Sequence, residues 1–268
     1  MFCKLKAVLI DLSGTIHIES NEIVGSIDAL TRLRRSGLRY KFVTNTTKES
    51  QNFLYERLKS IGFDIEKNEI FTSLVAARDF IRNEKLWPHL LLEECAMEDF
   101  QDVTKELVDS HKGEAVVVGL APSKFNYDTL NDSFDKLLNG ARLVAIHQGR
   151  YYKTTKGLAL GPGPFVKALA YGADIKPEDV KVVGKPDRNF FLSALQSLNA
   201  NIQPDEAVMI GDDVRDDIAG AMALGMQGIL VRTGKYRPDD ENKINPSPTL
   251  TVATFAEAIE TILSDLCN

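Results

Sequence analysis

The chain has 268 residues, 44% of them hydrophobic and 26% charged, with a formal net charge of −6. That composition excludes a disordered chain, and the acidic balance argues against a nucleic-acid footprint or a polybasic membrane patch, both of which need concentrated positive charge. The scattered Cys3, Cys95 and Cys267 have neither disulfide-framework nor zinc-ligand spacing, and no apolar run has signal-peptide or membrane-spanning length, so a cytosolic protein is expected.

Residues 6–10 (KAVLI) are apolar on both faces, as in a parallel strand covered by helices on each side. Ile27, Leu30 and Leu33 then recur at helical spacing, with Gly37 as a stop. A second buried strand is expected at 40–45 (YKFVTN). Thr46 and Glu49 read as a capping box for a helix over 47–60, ending near Gly62. A third helix is expected from Ser73 to Lys85.

Between Trp87 and Pro177 the character changes. Strands are expected at 89–94, 114–120, 142–148 and 158–161, and helices at 127–140 and 163–172. This is an αβ unit of roughly ninety residues, enough for a small domain. From Asp179 the earlier alternation resumes: strand 180–184 (VKVVG), helix 186–199, strand 206–213, helix 215–225, strand 227–232 and a closing helix from Thr254 to Leu266. Residues 235–250 read as a polar, proline-containing surface loop. The pattern predicts an α/β protein with a doubly wound, Rossmann-like parallel-sheet core from residues 1–80 and 179–268, and a smaller α/β unit, 81–178, inserted between them.

Open parallel sheets bind ligands outside the carboxyl ends of their strands. Those ends carry Asp11, then Thr44 and Asn45, then Lys185 within Gly184-Lys185-Pro186, then Asp212 and Asp213 with Asp216 and Asp217 following. Taken singly, each admits an ordinary role. Asp11 suits a turn or cap, Asn45 and Thr46 can cap the next helix, Lys185 can be a solvated loop lysine, and the acids suit a helix N-terminus. Together, one hydroxyl, one amide, one cation and several acids meet on one sheet edge in a fixed order.

The segments DLSGT, VTNT, VGKP and GDDVRDDI resemble, in that order, the four motifs of the haloacid dehalogenase superfamily of phosphohydrolases. The insert resembles the C2-type cap of the NagD-like branch, and the likeness runs nearly end to end. It implies Asp11 as a nucleophile that becomes phosphorylated, and Mg²⁺ held by the Asp11 carboxylate, the Ser13 main-chain carbonyl and the Asp212 carboxylate. Asp217, and secondarily Asp213 or Asp216, would hold the metal's waters. Thr44 Oγ1 and the Asn45 N–H would donate to phosphoryl oxygens, and Lys185 would bridge nucleophile and phosphate. The implied partner is a small phosphorylated substrate, with a homodimer as the expected assembly.

Ser13 departs from the pattern, because most phosphatases of the superfamily carry there an aspartate that protonates the leaving group. A serine hydroxyl titrates too high for that task, and general acid–base assistance is worth roughly 10²–10⁴-fold. The expectation is a catalyst slow on alkyl monoesters and less impaired on leaving groups that are already good, such as phosphate from pyrophosphate or a phosphoramidate nitrogen. The rival is a catalytically weak regulatory protein that keeps the phosphate and Mg²⁺ site. A phosphorylatable receiver-type domain shares an Asp/Thr/Lys triad but lacks both the insert and an acidic pair after the lysine. In the insert, His147 and Arg150 lie where a cap faces its core, His147 reading first as a structural or solvated histidine. Gly161-Pro162-Gly163 reads as a tight turn before a helix, lacking the Lys-Ser/Thr of a P-loop.

Overall fold

The structure is a computed structural model that describes residues 2–154, 156–198 and 200–266. Cys267 lies outside them. Fourteen strands are present among the described residues, and six form one parallel sheet in the order β14-β13-β12-β1-β4-β5. These are β1 (Ala7–Ile10), β4 (Arg39–Thr44), β5 (Ile70–Thr72), β12 (Ala207–Gly211), β13 (Gln227–Val231) and β14 (Leu250–Val252). A short antiparallel hairpin, β2 (His17–Ile18) with β3 (Asn21–Glu22), follows β1.

β1 sits at the centre because its four residues are fully buried, and its alternation serves two cores. Val8 and Ile10 pack with α1 (Ser26–Arg35), α2 (Gln51–Ile61) and α9 (Phe255–Leu266), while Ala7 and Leu9 face α7 (Arg188–Gln196) through Phe190, Phe191 and Ala194. Register pairs Ile10 with Phe42 on one side and with Ile210 on the other. Strands from the first half of the chain therefore extend one way from β1 and strands from the second half the other way. The crevice opens where that order reverses.

A second parallel sheet, β11-β8-β7-β6, is built from β6 (Leu86–Leu91), β7 (Gly113–Val118), β8 (Arg142–Ala145) and β11 (Lys181–Val182). α3 (Ser73–Glu84) and α4 (Gln101–Leu107) cover one face; α5 (Tyr127–Leu138) and α6 (Gly163–Gly172) cover the other. The segment VKVVG, expected to resume the large sheet, instead contributes β11 to this one, pairing Lys181 with Val144. Helix α3 likewise lends Leu74, Ala77 and Ile81 to the smaller unit. A two-residue edge strand has no pattern that says which sheet it joins. The hairpin β9 (Tyr151–Thr154) with β10 (Gly157–Leu160) was only half legible, since YYKT reads as polar.

The capping box at Thr46 and Glu49 does not form. α2 starts five residues after Thr46, with Ser50 Oγ accepting from Phe53 N (3.2 Å), while Glu49 pairs with Arg57 (2.5 Å) and Thr46 N donates to Thr44 Oγ1. The helix expected over 215–225 resolves into a π-helical turn, Val214–Ala219, and the short α8, Gly220–Met222. Asp213 Oδ1 caps that turn by accepting from the N–H groups of Arg215 and Asp216, both at 3.0 Å. Among the described residues no helix is long and apolar enough to cross a membrane.

The inserted unit is tied down by contacts from the loop after β4. Thr47 Oγ1 accepts from Leu120 N (2.7 Å), Ser50 N donates to Cys95 O (3.1 Å), and the Lys48 ammonium sits 3.9 Å from the centroid of the Tyr152 ring. Thr47→Val keeps the shape of a buried side chain and strands the Leu120 N–H. The expected cost is about 1–3 kcal/mol of stability, read as a lower urea midpoint at constant m-value.

Candidate active site

Asp11 follows directly on β1, its N–H donating to Ile210 O (2.9 Å), and the residue is 6% exposed. Asp11 Oδ2 accepts from Thr15 Oγ1 (3.2 Å) and Oδ1 from Lys185 Nζ (2.5 Å). Lys185 is 2% exposed and also reaches Asp217 Oδ1 (2.6 Å) and Val43 O (3.0 Å). Burial alone would lower its pKa, but the two carboxylates outweigh it and hold the ammonium firmly protonated. Asn45 secures the lysine's backbone, with Lys185 N donating to Asn45 Oδ1 and Asn45 Nδ2 to Lys185 O, each at 2.9 Å.

Asp212 is held from the opposite side. Its Oδ2 accepts from Lys235 N (2.6 Å). Gly14 and Gly234 bracket the same oxygen, at φ of 96° and 55°, where a Cβ would fall 2.1 and 2.0 Å from it. Both the positive φ and the close approach demand glycine. Thr233 Oγ1 donates to Gly14 O and pins the two loops together.

The carboxylates of Asp11, Asp212 and Asp217 converge, with one oxygen of each lying within 4.8 Å of the others. Burial, reinforced by neighbouring carboxylates, pushes Asp212 well above the usual carboxylate range and Asp217 up to about 7. Asp216 is pushed to about 6 by burial and by Asp213. Asp213 behaves differently: burial would raise it, but Lys235 and the backbone donors of the turn hold it low. Its oxygens are engaged by Arg215 N, Asp216 N and Lys235 Nζ (3.2 Å), and of the acids expected to hold a metal's waters Asp217 is the one that lies in the cluster. An all-oxygen set of this kind suits a hard cation such as Mg²⁺.

The cluster opens into a cleft of about 420 Å³ bounded by both units. Ser13, Thr44 and Lys185 line it from the large sheet, and Leu120, His147 and Tyr152 from the inserted unit. Ser13 is exposed to the cleft, whereas Thr44 is buried and its hydroxyl accepts from Thr46 N (3.3 Å). His147, read first as structural or solvated, is part of the wall. Burial, then Lys235 and Lys185, push it down to about 3, and Gly149 N donates to its Nδ1 (3.1 Å), which leaves the neutral ring's proton on Nε2. Close approach of Gly149 explains the Gly161-Pro162-Gly163 turn: Gly161 N donates to Arg150 O, Gly163 N to Gly149 O, and a Cβ on Gly161 would meet Gly149 O at 2.2 Å.

Two wall residues escaped the sequence reading. Lys235 lay in what read as a polar surface loop, and its proline-rich surroundings carry no sign that it folds back onto four acids. His17, 1% exposed, has Nδ1 on Glu19 O (2.9 Å), and burial and Arg57 push it down to about 4.

Residues 8–108 match the family model described as "Haloacid dehalogenase-like hydrolase", and residues 182–258 the one described as "HAD-hyrolase-like". Haloacid dehalogenase-like hydrolase domain-containing protein 2 of Bos taurus is 53% identical over 262 residues, covering 98% of this chain and 97% of that protein. The chain belongs to the haloacid dehalogenase-like hydrolases. Another member, phospholysine phosphohistidine inorganic pyrophosphate phosphatase of Xenopus laevis, is 39% identical over 272 residues, covering 98% and 97%. The p-nitrophenyl phosphatase from Archaeoglobus fulgidus superposes with a TM-score of 0.82 at 24% identity, covering 96% of this chain and 99% of that one. NagD from E. coli K-12 gives 0.80 at 23%, covering 94% and 98%. These two likenesses establish a shared fold over nearly the whole chain.

Removing one partner from a buried ion network leaves the others uncompensated. Lys185→Met is expected to destabilise the metal-free protein by about 3–5 kcal/mol at pH 8. At pH 5 the loss should be smaller, since Asp217, already raised to about 7, then takes up a proton in place of the lysine's charge. Urea titrations at the two pH values measure the difference.

Proposed function

We propose that this hydrolase, a phosphatase by family, transfers the phosphoryl group of a small phosphorylated substrate to Asp11 and then to water, with Mg²⁺ bound, and that it is slow on alkyl monoesters. The carrying observation is the placement of Asp11. It stands at the end of the central strand, tied to Lys185 and Thr15, inside a cluster with Asp212 and Asp217 that opens into the cleft. Asp11, Asp212 and the Ser13 carbonyl would hold the metal, with Asp217 orienting its waters. When bound, the cation would offset the repulsion between carboxylate and phosphate and the raised charge cost of the buried acids.

In the first step an Asp11 oxygen forms a bond to phosphorus while the bond to the leaving oxygen or nitrogen breaks. In the second, water attacks phosphorus, the bond from Asp11 oxygen to phosphorus breaks to restore the carboxylate, and the water's proton leaves on the released phosphate. Lys185 holds Asp11 in place and brings fixed positive charge to the phosphoryl oxygens. The Thr44 hydroxyl accepts from Thr46 N and so has its proton to donate, and the Asn45 N–H donates beside it. Ser13 is a hydrogen-bonding group and no proton shuttle. His147, neutral with its proton on Nε2, is a donor in the wall of the cleft. Leaving groups that are already good, such as phosphate from pyrophosphate or a phosphoramidate nitrogen that arrives protonated, fit this set of residues. The inserted unit acts as a cap, and the free, exposed thiols of Cys3 and Cys95 fit a reducing compartment.

Ser13 also favours a second reading, a phosphate-binding and cation-binding protein that becomes phosphorylated once and then stalls. A labelled-phosphate burst without steady turnover would select it.

Asp11→Asn is expected to abolish Mg²⁺-dependent phosphate release from pyrophosphate and from p-nitrophenyl phosphate, and activity surviving in that variant would sink the assignment. Ser13→Asp should raise kcat for an alkyl phosphate by roughly 10–100-fold, part of the range general acid–base groups supply. An unchanged or lower kcat, measured beside the same protein's circular dichroism, would refute the role given to Ser13.

A further inference from the structure

Tyr151 lines the catalytic cleft and also a separate hollow of about 620 Å³. Every charged residue lining that hollow is cationic: Arg150, Lys167, Arg215, Arg237 and Lys243. They come from the loop before β9, from α6, from the π-helical turn and from the 235–250 loop, so the tertiary fold alone gathers them. All five are exposed. Lys243 pairs with Asp240, and the other four make no ion pair among the described residues. The guanidiniums of Arg150 and Arg237 sit 5.7 and 5.2 Å from the Tyr151 ring centroid, which orients both. In a chain of net charge −6, a concave surface with five cations and no lining carboxylate raises the local anion concentration.

The hollow neighbours the catalytic site. A smaller hollow of about 170 Å³ shares Arg150, Tyr151 and Arg215 with it, and shares Tyr151, Asp213, Asp216 and Lys235 with the cleft. Its size is that of a small-molecule pocket, and Tyr151 with the 63%-exposed Leu160 supplies an apolar wall.

We propose that this hollow binds phosphate groups of a small, multiply phosphorylated molecule, received by the guanidiniums of Arg150, Arg215 and Arg237 and the ammoniums of Lys167 and Lys243. Guanidiniums present planar forks that match phosphate oxygens, and the lysines add point charges. Where those phosphates belong to the substrate, the site rests on the hydrolase reading above and holds groups that are not cleaved. Where they belong to a separate ligand, it does not depend on that reading.

The test uses the full chain with excess Mg²⁺ and no inorganic phosphate, which would compete for the hollow. Calorimetry with a methylene-bridged diphosphonate, whose P–C–P link does not hydrolyse, should show binding that weakens as salt is raised. The triple variant Lys167→Gln/Arg237→Gln/Lys243→Gln should weaken it by about tenfold or more, as expected for loss of several charge-assisted hydrogen bonds. Equal affinity in wild type and variant, or no binding by wild type, overturns the proposal. The ratio of kcat/KM for a bisphosphorylated over a singly phosphorylated form of one small molecule separates the two sources. A ratio that falls about tenfold in the variant assigns the phosphates to the substrate; lost diphosphonate binding with a steady ratio assigns them to a separate ligand. If the protein turns nothing over, the calorimetric arm still decides.

Discussion

Lys185 is the interaction on which the site depends. Its ammonium is buried between Asp11 and Asp217, and its backbone is clamped by the side-chain amide of Asn45. A parallel sheet opens its ligand crevice at the strand ends, and here those ends carry acids that the surrounding apolar packing removes from water. Five carboxylates, those of Asp11, Asp212, Asp213, Asp216 and Asp217, share the ammonium groups of Lys185 and Lys235. The charge is only partly matched. The remainder emerges as raised proton affinity at Asp212, Asp216 and Asp217, which is the condition under which an oxygen-seeking cation gains most by binding.

The inserted unit makes that charge arrangement useful. It closes the cleft with His147, Tyr152 and Leu120, and the loop after β4 ties it down through Thr47, Lys48 and Ser50. The same loop follows directly on Thr44 and Asn45, so the buried Thr44 hydroxyl and the contacts that hold the inserted unit are positioned by one stretch of backbone. The unit also brings Arg150 and Lys167 over the π-helical turn, where they meet Arg215, and the acidic cluster gains a cationic neighbour through Tyr151.

Much of the fold was legible in the sequence where burial and periodicity coincide. α6 begins and ends where the pattern said, β1 follows from its unbroken apolar run, and α5 is capped by Asn126 at its expected start. The failures share a cause in tertiary competition for local signals. Thr46 and Glu49 match a capping box, yet Thr44 and Arg57 offer better partners and Ser50 takes over the cap. VKVVG reads as a strand of either sheet, and only the position of β8 decides between them. Helical spacing over 215–225 hides a π turn that Asp213 winds by accepting two successive N–H groups.

For the site, the sequence by itself determined which chemical groups stand at the strand ends, because strand–helix alternation and the residues that interrupt it are local properties. Asp11, Thr44, Lys185 and Asp212 could be read off on that basis, whereas the oddity of Ser13 stands out only against the motif of the family the sequence resembles. The tertiary structure decided which acids share which cation. That Asp213 spends its oxygens on a turn and on Lys235, that Asp217 joins Asp11 and Asp212, and that Lys235 leaves its loop for the site depend on contacts between residues 11, 185, 212–217 and 235. Charge pairing acts over a few ångströms, and those separations are set by sheet register and loop path rather than by spacing along the chain.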